Sequence, residues 1–341
     1  MLDRPRRPVS SRRTRGRCAV GLALALAATL PASAAMADPA NYRPPEYGYN
    51  YGEVEAARTL AMGGAARAWG WSTPAIASNP ANVAAQHVYH FEALFGLDAK
   101  AHRVQYGGAV MDSITSRLAM GVLGVKSQQG TDDTYQRGGL DVRLAAAYPL
   151  SDKLSFGLTG RYLRVTQDGS GPLGAGPISR TTSDDPNFRA ITFDAGLMIA
   201  LNEAVRLGAV GYNLTSTGSP LAPLMVGGGI GVKIGDATVE GNVVGVDKSV
   251  WGAWKTRLQA GFEILVADRY PLRVGYVFDS GTKRHGVSGG LGYVDQQFAV
   301  DVGVRQEVAG PNDPWGKSTL FAIGLRYFYE NAAPAEQPAQ F

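Results

Sequence analysis

The sequence predicts an all-β transmembrane β-barrel of about 14 antiparallel strands, and three observations carry that prediction. From residue 87 onward, stretches of about ten residues alternate apolar and polar side chains between polar breaks. A period of two sustained over that length suits a strand crossing a bilayer at a tilt. The breaks also alternate in length, as in outer-membrane barrels with tight turns at one mouth and longer loops at the other. Finally, no stretch after the leader is apolar for the roughly 20 residues that a spanning helix needs.

Residues 1–37 read as a secretory signal peptide, with export through the Sec pathway and a final place in a bacterial outer membrane. Arg4, Arg6, Arg7, Arg12, Arg13, Arg15 and Arg17 form its basic region against the single acid Asp3. The apolar run "CAVGLALALAATL" follows, and Ala35 and Ala37 supply the small residues of a cleavage site. Without this leader, 26 basic residues face 28 acidic ones, so a formal charge of +4 becomes about −2. Nucleic acid is therefore excluded as a partner. The only cysteine, Cys18, lies in the leader, which leaves the mature chain with no disulfide, thiolate or lipid anchor.

Residues 38–86 do not alternate and are expected to form a segment that plugs or caps the barrel. "NYRPPEYGYNYG" reads as an extended aromatic loop, and "EVEAARTLAM" carries helix formers that Gly63 and Gly64 would stop. The block "STPAIASNPANVA", Ser72 to Ala84, holds two prolines, and Asn79 before Pro80 favours a turn. Low charge and small apolar side chains suit this segment to a narrow lumen better than to solvent.

The barrel itself is expected over 87–329, with a periplasmic tail over 330–341. Its strands are read at 87–97, 102–112, 117–127, 139–149, 153–166, 189–201 and 204–214. They continue at 223–234, 237–247, 255–265, 271–279, 285–294, 297–307 and 317–329. The segment 153–166 sets Leu154, Phe156 and Leu158 against Ser155, Thr159 and Arg161, and 297–307 sets Phe298, Val300 and Val302 against Asp301 and Arg305. The short breaks are "DSITS", "PLSDK", "NE", "GD", "ADRY" and "DQ"; Gln128–Gly138, Gln167–Phe188, Asp247–Trp254 and Ala309–Gly316 are longer. Many of the 44 glycines fall inside strands, where they permit bends and close backbone approach. Tyr89, Tyr148, Tyr162, Tyr212, Tyr276, Tyr293, Tyr327 and Tyr329 lie toward strand ends, where an interfacial girdle is expected.

The inner face is expected to carry Glu92, Asp141, Arg143, Arg161, Asp194, Arg206, Glu240, Arg257, Glu263, Arg273, Asp301, Arg305 and Arg326. Charges of both signs are costly against hydrocarbon and tolerable in a wet or mutually paired lumen. They read either as cross-strand ion pairs bracing the interior or as a selectivity path. Mixed signs argue against a dedicated anion or cation pore.

The run "ARTLAMGGAARAW" followed by "STPAIASNPANVA" resembles the N-terminal signature of the FadL superfamily of outer-membrane barrels, in which an M-G-G-A run precedes an N-P-A turn into the first strand. Within that superfamily, "LAAAYPLSDKLSFGLTGRYLRV", "VRLGAVGYNLTSTGSPL" and "YPLRVGYVFDSG" are similar in style to the short PorV-type branch. The resemblance implies a fourteen-stranded barrel with an N-terminal hatch in the lumen, Asn79, Pro80 and Ala81 forming the hatch turn and Gly63–Gly64 the bend before it. It also implies passive transport of fatty-acid-like hydrophobic molecules or, for the PorV-type branch, a partner-binding role in protein secretion or surface assembly. The partners expected are outer-membrane lipid and a hydrophobic small molecule or a secreted protein. No cofactor, metal or catalytic residue is expected.

An outer-membrane lipid hydrolase is the remaining class. Gly286–Gly290 matches G-x-S-x-G around Ser288, but the match falls inside a strand with no helix after it, whereas a nucleophile elbow needs strand, turn and helix. His87 and His90 are three apart on a strand and point to opposite faces, so they cannot share a metal. His90 and Glu92 share the inner face and are expected to hydrogen-bond there.

Overall fold

The computed structural model describes residues 54–100, 102–132, 135–169, 187–215, 217, 221–247, 253–311 and 317–329. Seven strands come first: β1 (Tyr89–Asp98), β2 (Arg103–Asp112), β3 (Ala119–Asp132), β4 (Tyr135–Ser151), β5 (Leu154–Gly169), β6 (Asn187–Ala200) and β7 (Val205–Tyr212). The second seven are β8 (Met225–Ile234), β9 (Ala237–Val246), β10 (Lys255–Val266), β11 (Tyr270–Asp279), β12 (Arg284–Val294), β13 (Phe298–Ala309) and β14 (Thr319–Phe328). Each pairs antiparallel with its sequence neighbour, and β1 closes on β14 with Glu92 opposite Arg326. A closed antiparallel ring is the one sheet arrangement a hydrocarbon layer tolerates, because it leaves no edge of unpaired backbone. No helix among the described residues is long and apolar enough to cross a membrane.

The two faces of the sheet have opposite character. Ile191, Leu291 and Val274 point outward and are 68%, 59% and 58% exposed, while Thr159, Asp194 and Arg326 point inward and are buried. Apolar outside and polar inside is the inverse of a soluble barrel. At the mouth where the turns are short, Tyr89 meets Tyr329 edge-on at 5.6 Å, Tyr270 lies 5.6 Å from Tyr293, and Tyr293 lies 5.5 Å from Phe298. These rings form the aromatic girdle of that interface.

Inside the barrel, residues 54–88 fold into short pieces joined by turns. Helix α1 (Ala57–Ala61) lies against β11–β14, helix α2 (Thr73–Ser78) against β2–β4, and a 3-10 helix (Pro80–Ala85) against β3–β6. Leu60, Ala61, Met62, Ala65, Ala66, Ala68, Ala75 and Val83 have almost no exposed surface, so the apolar core of the molecule sits in the lumen. The prolines act at helix starts: Pro74 and Pro80 each occupy the first turn of their helix, where the missing N–H costs nothing.

Three sequence expectations are corrected here. The block from Ser72 to Ala84 is two short helices rather than a run of turns, because its prolines start helices and its small side chains pack on the wall. Gln128–Gly138 is not a loop: β3 continues to Asp132 and β4 begins at Tyr135, so the hairpin extends well past the hydrocarbon layer. Apolar alternation fades there because both faces of the extension lie beyond the lipid. Tyr212 does not join a girdle; it is buried inside, and its hydroxyl donates to the Ser78 carbonyl. The signal peptide, Cys18, the Gln167–Phe188 loop through 170–186, and the 330–341 tail lie outside the described residues.

Candidate functional site

The lumen segment is held by the wall from every side. Gly63 and Gly64 adopt φ of 66° and 86°, and their N–H groups bond back to Leu60 at 3.1 Å and Thr59 at 2.8 Å, ending α1. Beyond this bend the chain crosses the lumen toward β9. Glu240 there accepts the N–H of Ala68 at 2.8 Å and of Trp69 at 3.1 Å. Arg67 donates to Gln259 of β10 at 2.5 Å, and its carbonyl accepts from Asn79 at 2.8 Å and Asn82 at 3.1 Å.

Asn79 is fully buried. Its Oδ1 accepts the Ala81 N–H at 3.2 Å and caps the 3-10 helix, while its Nδ2 reaches the Leu197 carbonyl of β6 at 3.1 Å. Ser155 of β5 donates to the Ala81 carbonyl at 2.9 Å. Pro80 packs so closely on β5 that a Cβ at Gly157 would stand 2.5 Å from the Ala81 nitrogen. Ser72 takes a positive φ of 65°, and its hydroxyl donates to Glu92 at 2.9 Å and lies 2.8 Å from His90 Nε2. Thr73 also donates to Glu92.

The inward charges form two multi-residue braces and several separate contacts. Asp301 pairs with Arg273 at 2.5 Å and with Arg326, and Glu263 pairs with Arg273 and, at 3.0 Å, with Arg58 of α1. Trp71 lies between two of these cations, 4.2 Å from Arg326 and 5.5 Å from Arg58. Across the lumen, Asp141 accepts from Arg143 at 2.9 Å and from Arg161 at 2.8 Å. Asp194 accepts the Asn213 N–H at 2.8 Å, Arg257 pairs with Asp279 at 3.0 Å, and Arg305 with Glu55 at 2.7 Å. Arg206 stacks over Trp69 at 4.3 Å.

The wall weakens at one place. β6 pairs with β5 from Asn187 to Ile199, but with β7 only from Ala195 to Ala200. Past Tyr212 the chain leaves the ladder at Asn213, which has a φ of 53°. The Asn213 side chain turns inward to Arg161 at 3.1 Å, Thr192 at 3.1 Å and the Pro223 carbonyl at 2.7 Å. Among the described residues, the Leu214 N–H to the Phe193 carbonyl at 2.8 Å and the Thr215 hydroxyl to the Ile191 carbonyl at 3.3 Å still bridge β6 and this segment. Leu221 and Ala222 then pack inside on Leu163, Val165 and Phe188. Between this turned-in segment and the lumen helices lies a cavity of about 80 Å³, whose walls combine Val54, Pro74, Tyr212 and Met225 with the charged Arg143, Arg161, Asp194 and Arg257.

No protein-family model matches the sequence, and a comparison with curated proteins finds no match. Solved structures do match. The toluene transporter TbuX of Ralstonia pickettii superposes with a TM-score of 0.60 at 16% identity, over 82% of this chain and 98% of that one. The CymD monoaromatic hydrocarbon channel gives 0.62 at 15% identity, over 80% and 96%. A FadL homologue from Pseudomonas aeruginosa gives 0.53 at 12%, over 82% and 97%. The fold is that of FadL-type hydrocarbon channels. None of these three neighbours is of the PorV type.

The remaining expectations concern Ser288 and the histidines. Ser288 faces the lumen and donates to the Ala61 carbonyl at 3.0 Å, whereas His285, three residues away on β12, bonds the Tyr276 hydroxyl at 2.6 Å on the opposite face. No cluster of His, Cys, Asp or Glu among the described residues could hold a metal. The sequence alone did not single out Asn213, Trp69, Trp71, Ser72 or Thr73. Only the two tryptophans in "ARAWGW" carried a signal, as large rings in an otherwise small-residue segment.

Proposed function

We propose that this protein is a passive outer-membrane channel for hydrophobic small molecules, with residues 38–86 as its hatch and the wall between β6 and β7 as its lateral exit. The observation that supports this reading is the cavity beside Asn213, placed where the β6–β7 ladder has already ended. A solute leaving sideways there would pass Arg143 and Arg161, which line the cavity, and enter hydrocarbon without breaking the pairs around Asp301, each of which would cost several kcal/mol. The same proposal takes 1–37 as the export leader, 87–329 as the barrel, and 330–341 as a periplasmic tail. Asn79, Pro80 and Ala81 then form the hatch turn, and Gly63–Gly64 the bend before it.

The test uses Gram-negative cells with an intact outer membrane, expressing or lacking the protein, and follows uptake of labelled toluene and of a labelled long-chain fatty acid. Expression is expected to speed uptake of at least one of them. A disulfide between Phe193→Cys and Leu214→Cys is expected to block that gain until reductant restores it. Uptake unchanged by expression overturns the channel reading; uptake indifferent to the cross-link overturns the lateral route.

A further inference from the structure

Outside the barrel, the strands carry very few charges. Among the described residues, the only Lys or Arg side chains on the outward, lipid-side strand positions beyond the short-turn mouth are Lys126, Arg164 and Arg189. All three are exposed, and all three lie within the wall sector β3–β6. Register brings them into one row: Lys126 of β3 stands opposite Leu140 of β4, Leu140 opposite Arg164 of β5, and Arg164 opposite Arg189 of β6.

Two like charges placed directly opposite on adjacent strands repel each other, since their Cβ atoms are only about 5 Å apart. No carboxylate among the described residues is paired with any of the three. An anion seated between the side chains would relieve that repulsion. Below the row, toward the short turns, the same face is apolar: Leu144, Leu158, Ile191 and Phe193 are all exposed to lipid. The cations thus stand at the upper edge of the apolar band, a position where Lys and Arg typically lay their stems along apolar surface and hold their heads at headgroup depth. What lies beside a barrel wall at that depth is lipid, so the charge to be matched is that of a lipid headgroup.

We propose that Lys126, Arg164 and Arg189 form a binding site on the outer wall of β3–β6 for a phosphorylated glycolipid of the outer leaflet. The two guanidinium groups clamp a phosphate and the lysine adds a point charge, a division of labour that follows from their geometries. The site rests on the orientation that puts the short turns in the periplasm and is independent of whether the lumen conducts. It also borders β6, whose other edge carries the short β6–β7 ladder.

The experiment is native mass spectrometry of the full-length protein in detergent with a bisphosphorylated lipid A, the same lipid stripped of its phosphates, and inorganic phosphate as competitor. The wild type is expected to prefer the phosphorylated lipid by about tenfold or more, near the effect of one to three interfacial cations. The triple variant Lys126→Gln, Arg164→Gln, Arg189→Gln should lose that preference while still shifting mobility on heating as a folded barrel does. Should it fail to fold, Arg189→Gln alone should lower the preference about threefold or more. Equal binding of both lipids by the wild type overturns the site, as does an undiminished preference in the folded variant. Full displacement by millimolar inorganic phosphate would show a free-anion site instead and would also overturn it.

Discussion

The Glu240 carboxylate on β9 accepts the backbone N–H of Ala68 at 2.8 Å, and its second oxygen takes the neighbouring N–H of Trp69. The wall thereby supplies hydrogen bonds that the lumen segment cannot make within itself. Glu240→Ala removes both acceptors and leaves two largely buried donors unsatisfied, at about 1–3 kcal/mol each. Hydrogen exchange across residues 65–72 should rise by one to several orders of magnitude while exchange in the strands stays unchanged. Glu240→Gln retains one acceptor and should give an intermediate rate.

Asn79 joins three backbone groups: the Arg67 and Leu197 carbonyls and the Ala81 N–H. Asn79→Ala loses a helix cap worth about 1 kcal/mol together with two buried hydrogen bonds of similar size. The lumen segment should become sensitive to protease at concentrations that leave the wild type intact. A barrel that unfolds at the same temperature but shows no new cleavage would count against this role.

Two glycines of the same chain should respond in opposite ways. Gly63 has φ of 66°, and a Cβ there would lie 2.5 Å from the Tyr276 nitrogen, so neither plug nor wall can yield cheaply. Gly63→Ala should cost about 1–3 kcal/mol and displace α1 from β11. Gly124 on β3 has nothing within 4 Å of the added methyl, and Gly124→Ala should leave thermal stability within about 0.5 kcal/mol of the wild type. Comparing the two melting temperatures checks both.

Asp301 sits between Arg273 and Arg326 and is almost fully buried. Asp301→Asn strips Arg326 of its carboxylate and leaves Arg273 with Glu263 alone, which costs about 3–5 kcal/mol for charges this deeply buried. The expected reading is a lower temperature for loss of the compact band in unheated gels. The double change Asp301→Asn with Arg326→Gln should recover part of the loss, since it removes one of the stranded charges.

The ring of strands was legible because the preference of a side chain for lipid or lumen repeats every two residues and needs no knowledge of distant partners. Phe321, Ile323, Leu325 and Tyr327 against Arg326 make the inward and outward faces of β14 plain from ten letters. The N-terminal segment was legible as non-strand, small and low in charge, and so as something the barrel could contain. Its helices were not, because Pro74 and Pro80 read equally well as turn makers until the wall packed around them. The girdle was over-read at Tyr212, since a tyrosine near a strand end has the same letter whether its ring meets lipid or a lumen carbonyl.

The amino-acid sequence by itself determined the barrel and the inward side of its charges, both of which follow from local periodicity. Only the tertiary structure decided how those charges pair, where the plug is gripped, and where the wall thins between β6 and β7. It likewise decided that Lys126, Arg164 and Arg189 share one row, because a row is a property of register between strands and not of any one strand. The reason is separation along the chain: Glu240 lies 172 residues from Ala68, and Glu263 lies 205 from Arg58. Contacts that distant exist only after fourteen strands have closed, with a single stagger, around the segment that precedes them.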